Sequence, residues 1–300
     1  MTLQQLKYVA AVAGTGTISG AAQALFLSQP SLTAAIRELE QELNITIFSR
    51  TNRGVVLTAA GEEFLGYARQ VLEQTDLIEE RYTGSAPRRH RFSVSTQHYS
   101  FAVEAFVDLL KEYGGPEYDF RIRETKTYEI IEDVSRLRSE VGVLYLNEFN
   151  RPVLTRVLRE HELEFHPLFT ARPHVFVSKA NPLAERRALT LDDLAPYPRL
   201  SYEQREHNAF YFSEEILSTL GCDKEIMVSD RATLFNLLIG LNGYTICSGV
   251  INNELNGPNI TAVPLDVDDC MEIGYLLHKR TVPNWFTEAY LDALRRHTGD

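Results

Sequence analysis

Three hundred residues, 44% of them of apolar type, are enough for two or three domains with their own cores, which excludes a disordered chain. No apolar run reaches the ~18 residues that cross a bilayer, and the N-terminal segment lacks a basic stretch, so no membrane span and no signal peptide are expected and a cytoplasmic location is. The net charge of −11 argues against nucleic-acid binding by the whole chain, but residues 1–60 sum to +1 and the rest to −12, so any phosphate contact falls to the N-terminal part.

Leu3, Leu6, Val9 and Ala10 predict a helix over 2–13, broken by "GTGT". "ISGAAQALF" predicts a short second helix, in which Ala21 and Ala22 permit close packing. A turn, "LSQ", leads into a third helix starting near Gln29 or Pro30. Ser28 is its N-cap, and Pro30 is tolerated in the first turn, where a missing N–H is no loss. Leu32, Ile36, Leu39 and Leu43 form its buried stripe. The opposite face carries Gln29, Ser31, Thr33, Ala34 and Arg37, with no acid until Glu38. Such a face suits close approach to another surface, and two helices around a tight turn make a helix-turn-helix. "TIFSR" and "VVL" then predict two strands around "TNRG", a wing with Arg50, Asn52 and Arg53 at or near its tip.

Over residues 2–65 these features resemble the DNA-binding domain of LysR-type transcriptional regulators. The resemblance is carried by "SQPS" at the third helix start, the Leu39-Glu40 pair, Ile47-Phe48 with Arg50, and the run from Leu57 to Gly61. It implies that the third helix reads the major groove of double-stranded DNA. Gln29 then pairs with adenine, while Ser31 and Thr33 bond to bases or phosphates. Pro30 and Ala34 touch thymine methyls, Arg37 meets phosphate, and the wing contributes Arg50 and Arg53, with Arg53 entering the minor groove. Ala34 stands where members of that family often carry Arg or Lys, so one polar contact is expected to be missing.

From Thr58 a long proline-free helix is predicted, with Glu62 and Glu63 at its positive end. Phe64, Ala68, Val71, Thr75, Ile78 and Tyr82 repeat as a heptad seam, which should pair with a second copy of the chain. The resemblance makes this the linker helix of a homodimer, or of a dimer-of-dimers tetramer. "GSAPRRHR" follows as a hinge.

From Phe92 strands and helices alternate, as in α/β units. A second group runs from "ELEFHPLFTARPHVFVSK" through "SEEILSTLG", "EIMVSD" and "ATLFNLLIGLNG" to "YTICSG", and the tail resembles the first group. The expected fold class is therefore multidomain. It comprises an N-terminal all-α winged helix-turn-helix (1–58), a linker helix (59–86), a hinge (87–91) and a C-terminal α/β two-lobed, periplasmic-binding-protein-like effector domain. Lobe I takes residues 92–162 and 267–300, lobe II takes 163–266, and the crossings fall near 162–165 and 264–268.

Ligands in such sheets bind beyond strand C-termini. Those ends offer Ser95, Thr96, Gln97, His98 and Ser100, then Thr125 and Thr127 beside Lys126, then Tyr145, Ser201, Tyr202 and Ser248. A helix start crowded with hydroxyls favours an anion, so a small effector, anionic at that point, is expected between the lobes. His98 reads equally as a pH-sensitive contact or as a plain strand-end histidine.

No nucleophile-elbow, zincin, P-loop or dinucleotide motif is present, so no catalytic residue, metal or cofactor is expected beyond the effector. Cys222, Cys247 and Cys270 match no zinc spacing and suggest reduced thiols. Peroxide-sensing members of the resembled family hold two cysteines close in sequence, whereas Cys222 and Cys247 stand 25 apart. The expected function is a transcriptional regulator whose DNA binding and bending respond to the effector, with RNA polymerase as a further partner. The alternative is a regulator whose α/β domain serves only oligomerisation or thiol redox sensing.

Overall fold

The computed structural model describes residues 1–52, 54–83, 90–114, 117–204, 210–250 and 258–298. It divides into two units, Met1–His90 and Arg91–Asp300.

The first unit opens with α1 (Leu3–Thr15), whose N-terminus is closed by a Thr2–Gln5 capping box and whose C-terminus ends at Gly16 with φ 69°. Next come α2 (Ile18–Ala24) and α3 (Gln29–Leu43). Ser28 Oγ accepts the Ser31 N–H at 3.2 Å, the expected cap. Leu32 and Ile36 pack on Val12, Ala21 and Ala22, while Leu39 joins Val9, Ile47 and Leu65. Each such burial contributes on the order of 1.5–3 kcal/mol.

The wing is the antiparallel pair β1 (Phe48–Thr51) and β2 (Gly54–Leu57). Glu40 fastens it to α3, its Oε1 accepting the N–H groups of Ile47 and Phe48 at 2.7 and 3.1 Å. Thr58 Oγ1 accepts the Gly61 N–H at 2.9 Å and so caps α4 (Ala59–Thr83). Gly61 has to be glycine here, because a Cβ would sit 2.1 Å from the Ile47 carbonyl oxygen. The Leu39-Glu40 pair and the Leu57-to-Gly61 run are thus structural fasteners between helix, wing and linker.

The second unit holds two five-stranded sheets. The first contains β3 (His90–Thr96), β4 (Tyr118–Glu124), β5 (Val141–Leu146), β6 (Leu163–Ala171) and β12 (Met271–His278), in the order β4-β3-β5-β12-β6. Helices α5 (Ser100–Tyr113), α6 (Thr127–Ser135) and α7 (Arg151–Glu160) follow β3, β4 and β5, and α10 (Trp285–Thr298) closes the chain. The second sheet contains β7 (His174–Ser178), β8 (Arg199–Tyr202), β9 (Glu225–Val228), β10 (Tyr244–Cys247) and β11 (Ile260–Pro264), in the order β11-β7-β10-β8-β9. With it go α8 (Leu191–Leu194) and α9 (Arg231–Leu241), the latter capped by Asp230.

Two expectations change. The stretch 163–171, expected to open lobe II, is the edge strand of the first sheet, because β6 pairs with β12 from Leu163↔His278 to Ala171↔Met271. The crossings therefore lie at 172–173 and 265–270. The segment "SEEILSTLG", placed in the second alternating group, forms neither strand nor helix but a series of bends and turns, with Leu217 in the left-handed region at φ 59°. Val94, Val143 and Ile273 of the first sheet share one apolar cluster with Val175, Val177 and Ile246 of the second. Among the described residues no helix is long and apolar enough to cross a membrane.

Candidate functional site

Two surfaces of the first unit carry the DNA-reading and pairing expectations. On α3, Gln29, Pro30, Ser31, Ala34 and Arg37 are exposed above the buried Leu32, Ile36 and Leu39. Thr33 is half-buried and its hydroxyl donates to the Gln29 carbonyl at 2.8 Å, leaving it only as an acceptor toward a ligand. The Ser31 and Ser28 hydroxyls share a bond of 2.7 Å. Arg50 is exposed on the wing; Arg53 lies outside the described residues.

Phe26, which no sequence pattern singles out, is 96% exposed in the turn ahead of α3 and takes φ 54°. An aromatic residue in the left-handed region is unfavourable by about 1–2 kcal/mol, whereas Asn tolerates it. Its ring stands in solvent three residues ahead of the α3 start at Gln29. Phe26→Asn is expected to leave thermal stability equal or higher while weakening operator binding roughly three- to tenfold in a retardation assay. A variant that binds as well as the wild type removes Phe26 from the interface.

The heptad seam on α4 serves two surfaces. Ala68 and Phe64 were both expected to face a partner; Ala68 is instead buried within the protomer, and Phe64 is partly covered by a cluster that includes Val9 of α1, Leu39 and Leu65. Val71, Ile78 and Tyr82 remain 45%, 60% and 78% exposed, with the Thr75 hydroxyl donating to the Val71 carbonyl at 2.8 Å.

In the second unit a cavity of ≈ 50 Å³ opens between the sheets. Of the expected effector contacts, His98, Ser100, Tyr202 and Ser248 line it. Glu214, Glu215, Arg231, Phe176 and Phe235 line it as well, and none of these was expected. A second hollow of ≈ 200 Å³ is lined by Thr125, Lys126, Glu124, Glu129 and Glu203. His98 and Tyr202 border both hollows. Their rings stack at 3.8 Å and 4°. Glu214 Oε2 accepts the His98 N–H at 3.0 Å and lies 2.8 Å from His98 Nδ1.

The other expected contacts stand behind the cleft. Ser95 is fully buried and its hydroxyl donates to Asp133 at 2.7 Å. Asp133 also pairs with Arg123 and Arg138. The Thr96 hydroxyl donates to the Gln97 carbonyl at 2.8 Å. Gln97 donates to the Thr127 hydroxyl at 2.7 Å and accepts the Tyr145 N–H at 3.2 Å. The Tyr145 hydroxyl donates to the Ser213 carbonyl at 3.1 Å, and Ser201 donates to Glu225 at 3.3 Å. Ser95, Thr96, Gln97, Thr127, Tyr145 and Ser201 thus line neither hollow. Their polar groups are engaged in holding strands and helices together.

The helix starts expected to receive an anion receive the opposite lobe instead. Besides Glu214 on His98, Gln204 Oε1 accepts the Thr127 N–H of α6 at 3.2 Å. Lys126 pairs with Glu203 at 3.3 Å, and Arg231 pairs with Glu124. Burial, and then the Glu214 carboxylate, push Glu215 up to about 8, although its oxygen takes the Tyr202 N–H at 2.9 Å. Burial pushes the Cys247 thiol up, and Arg231 is lowered to about 10 by the same cause.

Residues 3–62 match the family model described as bacterial regulatory helix-turn-helix protein, lysR family, and residues 89–299 match that of the LysR substrate binding domain. The uncharacterized HTH-type transcriptional regulator YnfL of Escherichia coli (strain K12) is 30% identical over 213 residues, 70% of this chain and 68% of that protein. The HTH-type transcriptional regulator YofA of Bacillus subtilis (strain 168) is 38% identical over 132 residues, 43% of this chain and 46% of that one. Among solved structures, full-length OxyR from Pseudomonas aeruginosa has TM-score 0.64 at 20% identity, covering 98% of both chains. An OxyR structure from Corynebacterium glutamicum has TM-score 0.54 at 19% identity, covering 99% of this chain and 92% of that one. At these identities the two structures speak for the fold alone.

Proposed function

The chain belongs to the lysR family of bacterial regulatory helix-turn-helix proteins, and from that premise we propose that it reads paired operator half-sites as a homodimer or a dimer of dimers and adjusts its grip when a small effector enters the interlobe cleft. The observation that carries the DNA-reading part is the α3 face: an exposed, acid-free start above an apolar stripe. Such a helix approaches base edges with its N-terminal residues. Gln29 supplies the bidentate amide and Arg37 a phosphate contact. Effector occupancy biases lobe closure, and closure biases DNA bending and the approach of RNA polymerase.

Footprinting on DNA upstream of its own gene, at low salt and with or without cell extract, tests the reading. Protection of two half-sites about one helical turn apart, altered by extract, is expected. Absence of any protected site overturns it.

Gln29→Ala is expected to cost about 1–3 kcal/mol on the operator and to leave non-specific binding intact. Arg37→Ala should instead weaken binding to all sequences and reduce the salt slope by about one. Titrations at several salt concentrations separate the two; identical behaviour of both variants removes the division of roles.

The redox alternative receives little support, because burial keeps Cys247 in the thiol form, which is the unreactive one.

A further inference from the structure

We propose that the interlobe cleft selects a small organic cation, a primary amine carried on a compact apolar body. This rests on the proposed effector role of the cleft and names the class of that effector.

The charge around the His98–Tyr202 stack is one-sided. The two hollows are lined by the acids Glu124, Glu129, Glu203, Glu214 and Glu215. Glu129 is paired with Arg123, and Glu215 becomes a carboxylate only above about pH 8, so the negative charge gathers at the buried neighbours Glu214 and Glu215. Among the described lining residues the permanent cations are Lys126 and Arg231. Both are already engaged, Lys126 with Glu203 and Arg231 with Glu124. His98 is held by Glu214. An incoming anion would therefore meet the buried Glu214 and Glu215, with only the Arg231 guanidinium, paired with Glu124 but with its Nε and Nη2 making no hydrogen bond, to receive it. An incoming ammonium would bring the charge the site lacks, with three donors for buried acceptors.

The acids alone would not make a binding site; the cavity beside them does. The segment matches a substrate-binding domain, and Glu214 and Glu215 are 7% and 6% exposed at a cavity also walled by Phe176, Leu234 and Phe235. At ≈ 50 Å³ the cavity holds a few waters in this state. Its occupant is accordingly compact, with an apolar part against the rings and a charged head at the carboxylates. This reverses the anion expected from the hydroxyl-rich helix start, because the position ahead of α5 is filled by the Glu214 carboxylate.

Thermal unfolding of the full chain at about pH 8.5, with 2-phenylethylamine, phenylacetate and 2-phenylethanol as probes, tests the proposal. These share one aromatic body and differ in the head group. The amine at about 10 mM is expected to raise Tm by roughly 2–4 °C, and the other two by under about 0.5 °C. Glu215→Gln keeps an acceptor for the Tyr202 N–H and is expected to abolish the amine shift. Phe235→Ala is expected to reduce it at least threefold. An equal or larger shift with phenylacetate or phenylethanol overturns the amine class and leaves the effector role standing. The amine class also falls, and the effector role again stands, if the amine does nothing while a metabolite extract raises Tm. If neither the amine nor the extract has any effect, both fall together.

Discussion

Ile78→Lys is expected to convert the protein to a monomer at micromolar concentration and to reduce operator affinity by roughly 10²–10⁴-fold. The physical reason is the exposed part of the α4 seam. Val71, Ile78 and Tyr82 stand one above another at heptad spacing and are 45%, 60% and 78% exposed in the protomer. Apolar side chains at that spacing drive coiled-coil pairing. A lysine at the middle position places two ammonium groups at one seam and removes the burial that offsets the entropy of association. DNA affinity falls further than one contact explains, because the second half-site is then read from bulk solution instead of at a high effective concentration. The far-ultraviolet spectrum should not change, since Ile78 already faces solvent in the protomer.

Ala68→Lys provides the contrast. Ala68 is 2% exposed inside the first unit, so that substitution should lower the unit's own stability. Sedimentation of both variants with urea unfolding distinguishes pairing from packing. A wild type that sediments as a monomer, or an Ile78→Lys protein that stays paired, defeats the seam.

What the sequence displays best is local. The Ser28 cap, Pro30 in the first turn and the stripe from Leu32 to Leu39 are set by neighbours within four residues, and α3 forms where the spacing places it. The heptad period is equally local, but which part of it is left open is not: Ala68 is buried within the first unit, and Val9 of α1, more than fifty residues earlier, packs in the cluster that partly covers Phe64. The cleft is decided by distant pairings. Ser95 looks like a ligand donor until Asp133 arrives from 38 residues on. Residues 163–171 and His174–Ser178 read as one continuous β pattern, and only the pairing of β6 with β12 separates them into two sheets. Glu214 and Glu215 carry no signal of their own within "SEEILSTLG". Their role emerges only when His98 is brought 2.8 Å from a carboxylate 116 positions away. Local chemistry is thus legible in the DNA-reading unit, whereas the chemistry of the cleft depends on contacts between the lobes.

Glu215→Gln is expected to stabilise the second unit by a few kcal/mol at about pH 8.5 and by almost nothing at about pH 5. In the folded chain Glu215 is raised from 4.5 to about 8. Burial is the larger cause, the Glu214 carboxylate the next, and the Tyr202 N–H and the more distant Arg199 oppose them. The phenols of Tyr99, Tyr145 and Tyr202 and the Cys247 thiol also face it, all raised themselves and uncharged below pH 8. Below the unfolded pKa both states are protonated and Glu215 has no effect on stability. Between about pH 4.5 and 8 the unfolded chain loses this proton and the folded chain keeps it. Stability therefore falls with rising pH, by up to about 1.4 kcal/mol per unit, and levels off above the folded value. Glutamine carries no such proton, so its curve lacks this slope. Asp193 and Asp230 titrate in the opposite sense, held below the usual carboxylate range by hydrogen bonds from Thr190 and Thr233, and act only in acid outside this window. Trp285, the single tryptophan, lies in α10 of the second unit. Its fluorescence during urea unfolding at a series of pH values follows that unit. Parallel stability curves for the two proteins between pH 5 and 8.5 would mean that Glu215 is ionised in the folded state, and that the cleft accommodates two adjacent buried charges.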